Sequence, residues 1–178
     1  FAAQLGFEIA PELLTSMSAM AERLEIISAE RIRDEFIKIV LSPNPRIGIT
    51  TLVDTGLCDQ FLPEIPKLRL EIDEHHHHKD VYEHTLTVVE QSMALEARLG
   101  GANLVIRLAA LMHDIGKPKT RALIEGGGVS FHHHEVVGSR MTKERMRKLR
   151  FEHDVIEDVA KLVFLHLRFH GYGGGEWT

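Results

Sequence analysis

His113 and Asp114 stand side by side at the end of an apolar stretch, with His84 upstream and His134 downstream. Neutral imidazoles and a carboxylate can together hold a catalytic divalent metal, and the pattern points to chemistry on phosphate esters. An ionised aspartate buried at the end of an apolar helix costs too much without a metal or a partner, which favours the ligand reading. The carboxyl end of a helix carries partial negative charge, so a cation held by His113 and Asp114 also gains from the dipole. Among the 12 histidines, His166 and His170 are four residues apart and would project from one helical face as further ligands. Taken singly, each reads as a satisfied core histidine. Such a donor set suits zinc, manganese, iron, nickel or cobalt and is a poor one for calcium. Lys117, just past the helix end, could neutralise a phosphate, although a lysine there is also an ordinary partner of the dipole. The run His75 to His78 reads as a solvated segment that binds metal adventitiously, and His132 and His133 as neighbours of His134.

Helices must position these residues, because helical periodicity dominates and strand alternation is scarce: the fold class is all-α. Pro11 and Glu12 open a short helix through Met20. Ile26 to Leu41 follows, with Ile32, Phe36, Ile39 and Val40 on one side and Ser42-Pro43 as its end. Asn44 and Pro45 restart a helix as cap and first residue, and Gly56 stops it. Pro63 and Pro66 break the chain again, so Cys58 to Asp73 is the expected junction between a helical module at residues 1–73 and a second module at 74–178. In the second module, Asp80 and Glu83 resemble a capping box for a helix that carries His84 in its first turn and stops at Gly100-Gly101. Asn103 caps the next helix, which is apolar around most of its girth and expected to be buried. It ends at His113-Asp114, with Gly116 and Pro118 as terminators. One small hairpin is expected, from Thr120–Ile124 and Val129–Phe131 around Gly126-Gly127-Gly128. Helices resume from about His132 to Lys148 and from about Asp154 to Phe169, with Gly171 ending the last.

Composition bounds what such a chain can do. At 178 residues and 44% hydrophobic content it can bury a sizeable core, as one domain or two small ones. A formal charge of -5, from 21 basic and 26 acidic residues, argues against binding nucleic acid by bulk electrostatics and leaves room only for a local basic patch. The lone cysteine, Cys58, rules out an internal disulfide and fits a reducing compartment, and no apolar run is long enough to cross a bilayer. A cytoplasmic protein with no membrane partner is expected; the oligomeric state is not set. The opening Phe1-Ala2-Ala3, with no initiator methionine and no signal layout, suggests a piece of a longer polypeptide.

At the residues that carry the chemistry, the chain resembles the HD superfamily of metal-dependent phosphohydrolases. The strings KDVYEHTL (Lys79 to Leu86), LAALMHDIGKPKT (Leu108 to Thr120) and FHHHEVVGSRM (Phe131 to Met141) are similar to the HD module of bacterial tRNA nucleotidyltransferases, which add CCA to tRNA ends. The segments FAAQLGFEI (Phe1 to Ile9) and SAERIRDEF (Ser28 to Phe36) resemble the neck region of that family, so the resemblance covers nearly the whole chain. It implies a helical neck followed by an HD-type helical domain with one small hairpin. By the same resemblance, Glu30 and Arg31 match a neck motif that braces the nucleotide pocket from behind. Without the resemblance they are an exposed pair in a first helical turn, where Glu30 favours the dipole. Nucleotide addition in the family depends on an N-terminal head, with magnesium as its metal and an acidic-and-arginine motif that selects CTP or ATP. Neither element is present here, so this chain is not expected to add nucleotides by itself. HD domains usually close the metal site with a distant Asp, yet after His170 the only carboxylate is Glu176; the closing Asp is expected beyond this sequence.

Two functions follow. In the first, the chain hydrolyses a phosphomonoester or a 2′,3′-cyclic phosphodiester of a nucleotide, with His113, Asp114 and Lys117 at the chemistry and a nickel, manganese, zinc, cobalt or iron ion held by His84, His113 and Asp114, with His134, His166 and His170 as further ligands. In the second, it is a non-catalytic tRNA-binding body with a structural metal site. Arg140, Lys143, Arg147 and Arg150 share one helical face, with Arg145 and Lys148 nearby, and could meet tRNA phosphates. A solvated helix face is the plain alternative.

Overall fold

Prolines and polar caps parcel this chain into short helices. The computed structural model describes residues 1–70, 80–124 and 128–169. The N-terminal half runs α1 (Ala2–Leu5), α2 (Pro11–Ala19), a 3₁₀ stretch (Ala21–Ile26), α3 (Ala29–Val40), α4 (Pro45–Asp54), α5 (Leu57–Phe61) and a 3₁₀ turn (Pro66–Leu68). The C-terminal half runs α6 (Val81–Ala94), a 3₁₀ turn (Glu96–Leu99), α7 (Leu104–Met112), α8 (Lys117–Thr120), β1 (Ala122–Leu123), β2 (Val129–Ser130), α9 (His134–Lys148), α10 (His153–Leu165) and a 3₁₀ turn (His166–Phe169). The class is all-α with one antiparallel hairpin, as the periodicity predicts.

Local hydrogen bonds decide the boundaries, and they move several of them. The Ser28 side chain accepts the Arg31 amide, so α3 starts at Ala29 rather than Ile26, and Ala21–Ile26 winds as the tighter 3₁₀ form. The capping box at α6 forms by half: Asp80 accepts the Tyr82 amide at 3.0 Å, whereas Glu83 pairs with Arg46 of α4 at 2.8 Å. Asn44 holds the cap position of α4, but its side chain reaches the Ala3 carbonyl and ties α1 down instead. Asn103 caps α7 as expected, accepting the Ile106 amide at 3.1 Å. Pro118 does not act as a terminator. It lies in the first turn of α8, where a missing N–H costs nothing, and α8 thereby takes Thr120 out of the hairpin. The strands shrink to Ala122 opposite Ser130 and Leu123 opposite Val129. Helix α9 begins at His134, two residues later than expected, behind His133 in the left-handed region at φ 61. Asp73, His75 to His78, Gly126, Gly127, His170, Gly171 and Glu176 lie outside the described residues.

The apolar girth of α7 has the predicted consequence, since Leu108, Ala109, Ala110, Leu111 and Met112 are all buried. Helices α6 and α10 both pack on α7, and α9 packs on α10. From the other half, α3 meets α7 and α4 meets α6. One hydrophobic cluster runs through both halves, from Phe36 and Val40 to Val159 and Val163. The stretch from Cys58 to Leu68, where a junction is expected, belongs to this cluster, with Leu62, Ile65 and Leu68 fully buried. Among the described residues, no helix is long and apolar enough to cross a membrane.

Arginines fasten the halves together. Arg107 on α7, 3% exposed, donates through Nε and Nη2 to the Glu96 carboxylate at 2.6 and 2.7 Å. Its Nη1 donates to the carbonyls of Val40 and Ser42, at the end of α3, at 2.8 and 2.7 Å. The Val40 carbonyl at the end of α3 and the Ser42 carbonyl just beyond it are thus satisfied by a residue of α7. These bonds also hold the Glu96 carboxyl below its ordinary range. Arg46 of α4 clasps Glu83 and Glu90 of α6, and Arg145 of α9 forks onto Glu64. Because Arg107→Ala leaves Glu96 buried without its partner and two carbonyls without donors, it should cost about 3–5 kcal/mol of stability. Urea unfolding at neutral pH checks this, and a loss below about 1 kcal/mol would contradict the role given to this pair.

Candidate metal centre

Four elements begin or end around one carboxylate. Asp114 follows α7 and is 1% exposed. Its Oδ2 lies 3.1 Å from His113 Nε2 and accepts from Lys117 Nζ at 2.7 Å. Its Oδ1 faces His134 Nε2 at 3.3 Å and His166 Nε2 at 3.8 Å. His84, from the first turn of α6, brings its ring to 5.4 Å from the ring of His113.

Each inward-facing histidine is tethered from behind. Nδ1 of His113 bonds the Ala110 carbonyl at 2.8 Å, Nδ1 of His134 the Phe131 carbonyl at 2.8 Å, and Nδ1 of His166 the Val163 carbonyl at 2.6 Å. A carbonyl oxygen only accepts, so Nδ1 carries the hydrogen in all three rings and Nε2 turns its lone pair inward. Lone pairs aimed at a carboxylate repel it unless a proton or a metal ion lies between. His134 Nε2 and His166 Nε2 also face each other at 3.2 Å, with the same need. This donor chemistry fits a divalent transition metal. Two sets of ligand atoms lie within 4.8 Å of one another: His84, His113 and Asp114, and Asp114, His134 and His166.

The electrostatics agree with that geometry. Burial alone would raise the Asp114 carboxyl. With a proton between Nε2 and the carboxylate, hydrogen bonds from His113 and His134, with the charges of His113 and Lys117, outweigh it and hold the group well below its ordinary range. Burial pushes the His166 imidazole down to about 4 against the opposing pull of the Val163 carbonyl, so the ring is neutral at pH 7. A neutral imidazole is the form that binds metal.

The remaining residues named from sequence are scattered. His132 and His133 are exposed, the latter 3.8 Å from Glu135. On α9, Arg140 is exposed, whereas Lys143 and Arg147 both approach Glu157 of α10, at 2.5 and 3.8 Å, and Arg145 is committed to Glu64. Arg150 follows α9 with φ 59, and its carbonyl accepts from Arg33 of α3. The expected basic stripe therefore carries its own counter-charge over part of its length. Glu30 and Arg31 are exposed in the first turn of α3, and Arg31 borders a cavity of about 440 Å³ lined by Leu24, Ile32, Phe36, Leu52 and Phe61.

Sequence reasoning passed over Gly116 as a mere terminator. A Cβ there would lie 2.2 Å from the His134 carbonyl oxygen and 2.7 Å from the Gly138 nitrogen. The turn after Asp114 thus lies backbone to backbone against α9, and this contact delivers His134 to Asp114. The signal that was available is the pair Gly116 and Gly138, the second of them four residues after His134, on the facing helix.

Comparison with known proteins adds two regional matches. Residues 81–176 match the family described as "HD domain", and residues 6–68 match "Probable RNA and SrmB- binding site of polymerase A". The chain is 34% identical over 173 residues to the A-adding tRNA nucleotidyltransferase of Deinococcus radiodurans, covering 94% of this chain and 39% of that protein. It is 35% identical over 175 residues to the CC-adding tRNA nucleotidyltransferase of Thermus thermophilus, covering 93% and 39%. Against the Multifunctional CCA protein of Neisseria gonorrhoeae strain FA 1090 it is 32% identical, covering 97% and 41%. The chain therefore spans about two fifths of the length of these relatives.

Two outcomes are expected of this geometry. Gly116→Ala should lower divalent-metal affinity by about tenfold or more, since it forces α9 and His134 away from Asp114. Titration with Mn²⁺ reads this, and unchanged affinity would contradict the close approach. The second outcome concerns pH in chelator-treated protein. His166 titrates near its ordinary 6.5 when unfolded and near 4 when folded, so between those values the unfolded chain binds the extra proton and stability rises with pH. Lowering the pH from 6.5 to 4 should therefore destabilise the fold, and His166→Gln should flatten that window. The depressed Asp114 carboxyl adds its own loss only below its ordinary value of 3.8. Denaturant midpoints across the series test both signs.

Proposed function

We infer the function from one premise, that the chain belongs to the HD-domain family: its metal centre hydrolyses phosphomonoesters or 2′,3′-cyclic phosphodiesters of nucleotides, within a tRNA nucleotidyltransferase. The observation that carries this reading is the convergence of three tethered imidazoles on the buried Asp114 carboxylate. His84, His113 and Asp114 would hold a nickel, manganese, zinc, cobalt or iron ion, with His134 and His166 as a second set that shares Asp114. When bound, such a metal acidifies a water and polarises a phosphoryl oxygen.

The chain's own residues do the rest. The Ala110, Phe131 and Val163 carbonyls fix which ring nitrogen faces inward, so the imidazoles need no reorientation. Met112 and Ile115, both fully buried, flank His113-Asp114 in the chain, and the Asp114 carboxylate is itself out of bulk water. That strengthens every charge interaction it makes. The ammonium of Lys117 supplies positive charge for an incoming phosphate.

The N-terminal half supports tRNA as partner. Residues 6–68 match an RNA-binding description, and the relatives are named as CC-adding, A-adding or CCA proteins. In the whole protein, nucleotide addition would belong to a magnesium-dependent head, Glu30 and Arg31 would brace the nucleotide pocket, and the location would be cytoplasmic. A second reading, a non-catalytic tRNA-binding body with a structural metal, draws on the same match and on exposed Arg140, Arg147 and Arg150. The hydrolase reading is preferred because a structural ion needs no lysine beside its carboxylate.

Chelator-stripped protein should hydrolyse 2′,3′-cyclic nucleotides about a hundredfold more slowly than nickel- or manganese-loaded protein, matching the several kcal/mol that a catalytic metal supplies. Asp114→Asn should lose both the activity and the bound metal. Equal rates with and without metal would sink the hydrolase reading.

A further inference from the structure

Lys117 and a metal ion need the same carboxylate. Lys117 Nζ donates to Asp114 Oδ2 at 2.7 Å, on the side where His113 Nε2 stands 3.1 Å away. The lysine backbone is fixed at the same place, because its amide bonds the Asp114 carbonyl at 2.9 Å. The two side chains differ sharply in access to water: 21% of the lysine is exposed, against 2% of the aspartate. The ammonium also lies 5.7 Å from the centre of the Phe131 ring, in the segment that leads to His134. A flexible four-carbon stem on a partly exposed residue can leave the carboxylate, whereas the aspartate has nowhere else to go.

Resting on the metal-centre reading above, we propose that Lys117 is a built-in competitor for the metal, one that exchanges Asp114 for the phosphate of the substrate. One carboxylate charge cannot satisfy an ammonium and a dication at once, and in a buried site the two cations repel strongly. Metal binding therefore displaces the lysine. The displaced ammonium finds its new anion in a phosphate bound beside the metal. Metal and phosphate consequently bind with positive cooperativity, each raising the affinity of the other by the same factor. Lys117 thus sets the loading of the centre as well as supplying charge to the substrate, and the centre holds metal weakly until a phosphate arrives.

The test follows Mn²⁺ binding to the chelator-treated full chain by electron paramagnetic resonance, with and without inorganic phosphate. Wild type, Lys117→Met and Lys117→Arg are compared. Lys117→Met should bind Mn²⁺ about tenfold tighter than wild type without phosphate, within the range by which groups behind metal ligands move affinity. Phosphate should tighten Mn²⁺ binding in wild type and lose that effect in Lys117→Met. Lys117→Arg keeps the cation and should bind Mn²⁺ no tighter than wild type. Equal or weaker binding by Lys117→Met overturns the proposal while leaving the metal centre in place, as does phosphate tightening that survives the substitution. Failure of all three proteins to take up Mn²⁺ would overturn the metal-centre reading together with the proposal.

Discussion

A buried carboxylate that cannot be left uncompensated organises this molecule. Asp114 sits almost wholly out of water, where an isolated charge is prohibitively costly, and the structure answers with nitrogen groups from several elements. His113 comes from its own turn, Lys117 from the next, His134 from α9 and His166 from the end of α10. The apolar girth of α7 keeps the site dry, and dryness makes each of these contacts strong. Core packing and site chemistry are therefore one arrangement seen from two sides.

The candidate ligands share a placement that a helix interior does not offer. His113 caps α7, His134 opens α9, His166 follows α10, and His84 lies in the first turn of α6. At such ends the backbone is not fully engaged. Each of the three tethered rings uses this by bonding the carbonyl three residues before it, at Ala110, Phe131 and Val163. The Phe131 carbonyl also accepts the His134 amide at 3.2 Å, in the turn that opens α9. Breaks between short helices thus supply the fixed backbone acceptors that aim the imidazoles.

Much of this was legible in the sequence, and the residues show why. Periodicity gave the class, Asn103 and the glycines gave the limits of α7, and the chemistry of His113-Asp114 pointed at a buried charge in need of partners. Local patterns failed where a side chain had a better partner far away. Glu83 left its capping box for Arg46, and Asn44 left its cap for Ala3, because neither destination is visible within a few residues. Lys117 was legible as a cation but not as a partner of Asp114, and Gly116 as a helix stop but not as a contact surface. Both depend on how the turn folds back on α9. Pairing of charges across elements likewise hid the partial neutralisation of the α9 arginines by Glu157.

The guanidinium of Arg107 joins the two halves in an asymmetric way. On its own side it depends on a particular carboxylate, Glu96; on the other it addresses only the backbone carbonyls of Val40 and Ser42. Any residue with a carbonyl in that position can receive it. The N-terminal half can accordingly change its side chains at the joint through evolutionary time without unfastening it, while the C-terminal half has little freedom to vary Arg107 or Glu96. Diversification at this seam should run in one direction, with new surfaces arising on the N-terminal half while the C-terminal half keeps its Arg107–Glu96 pair.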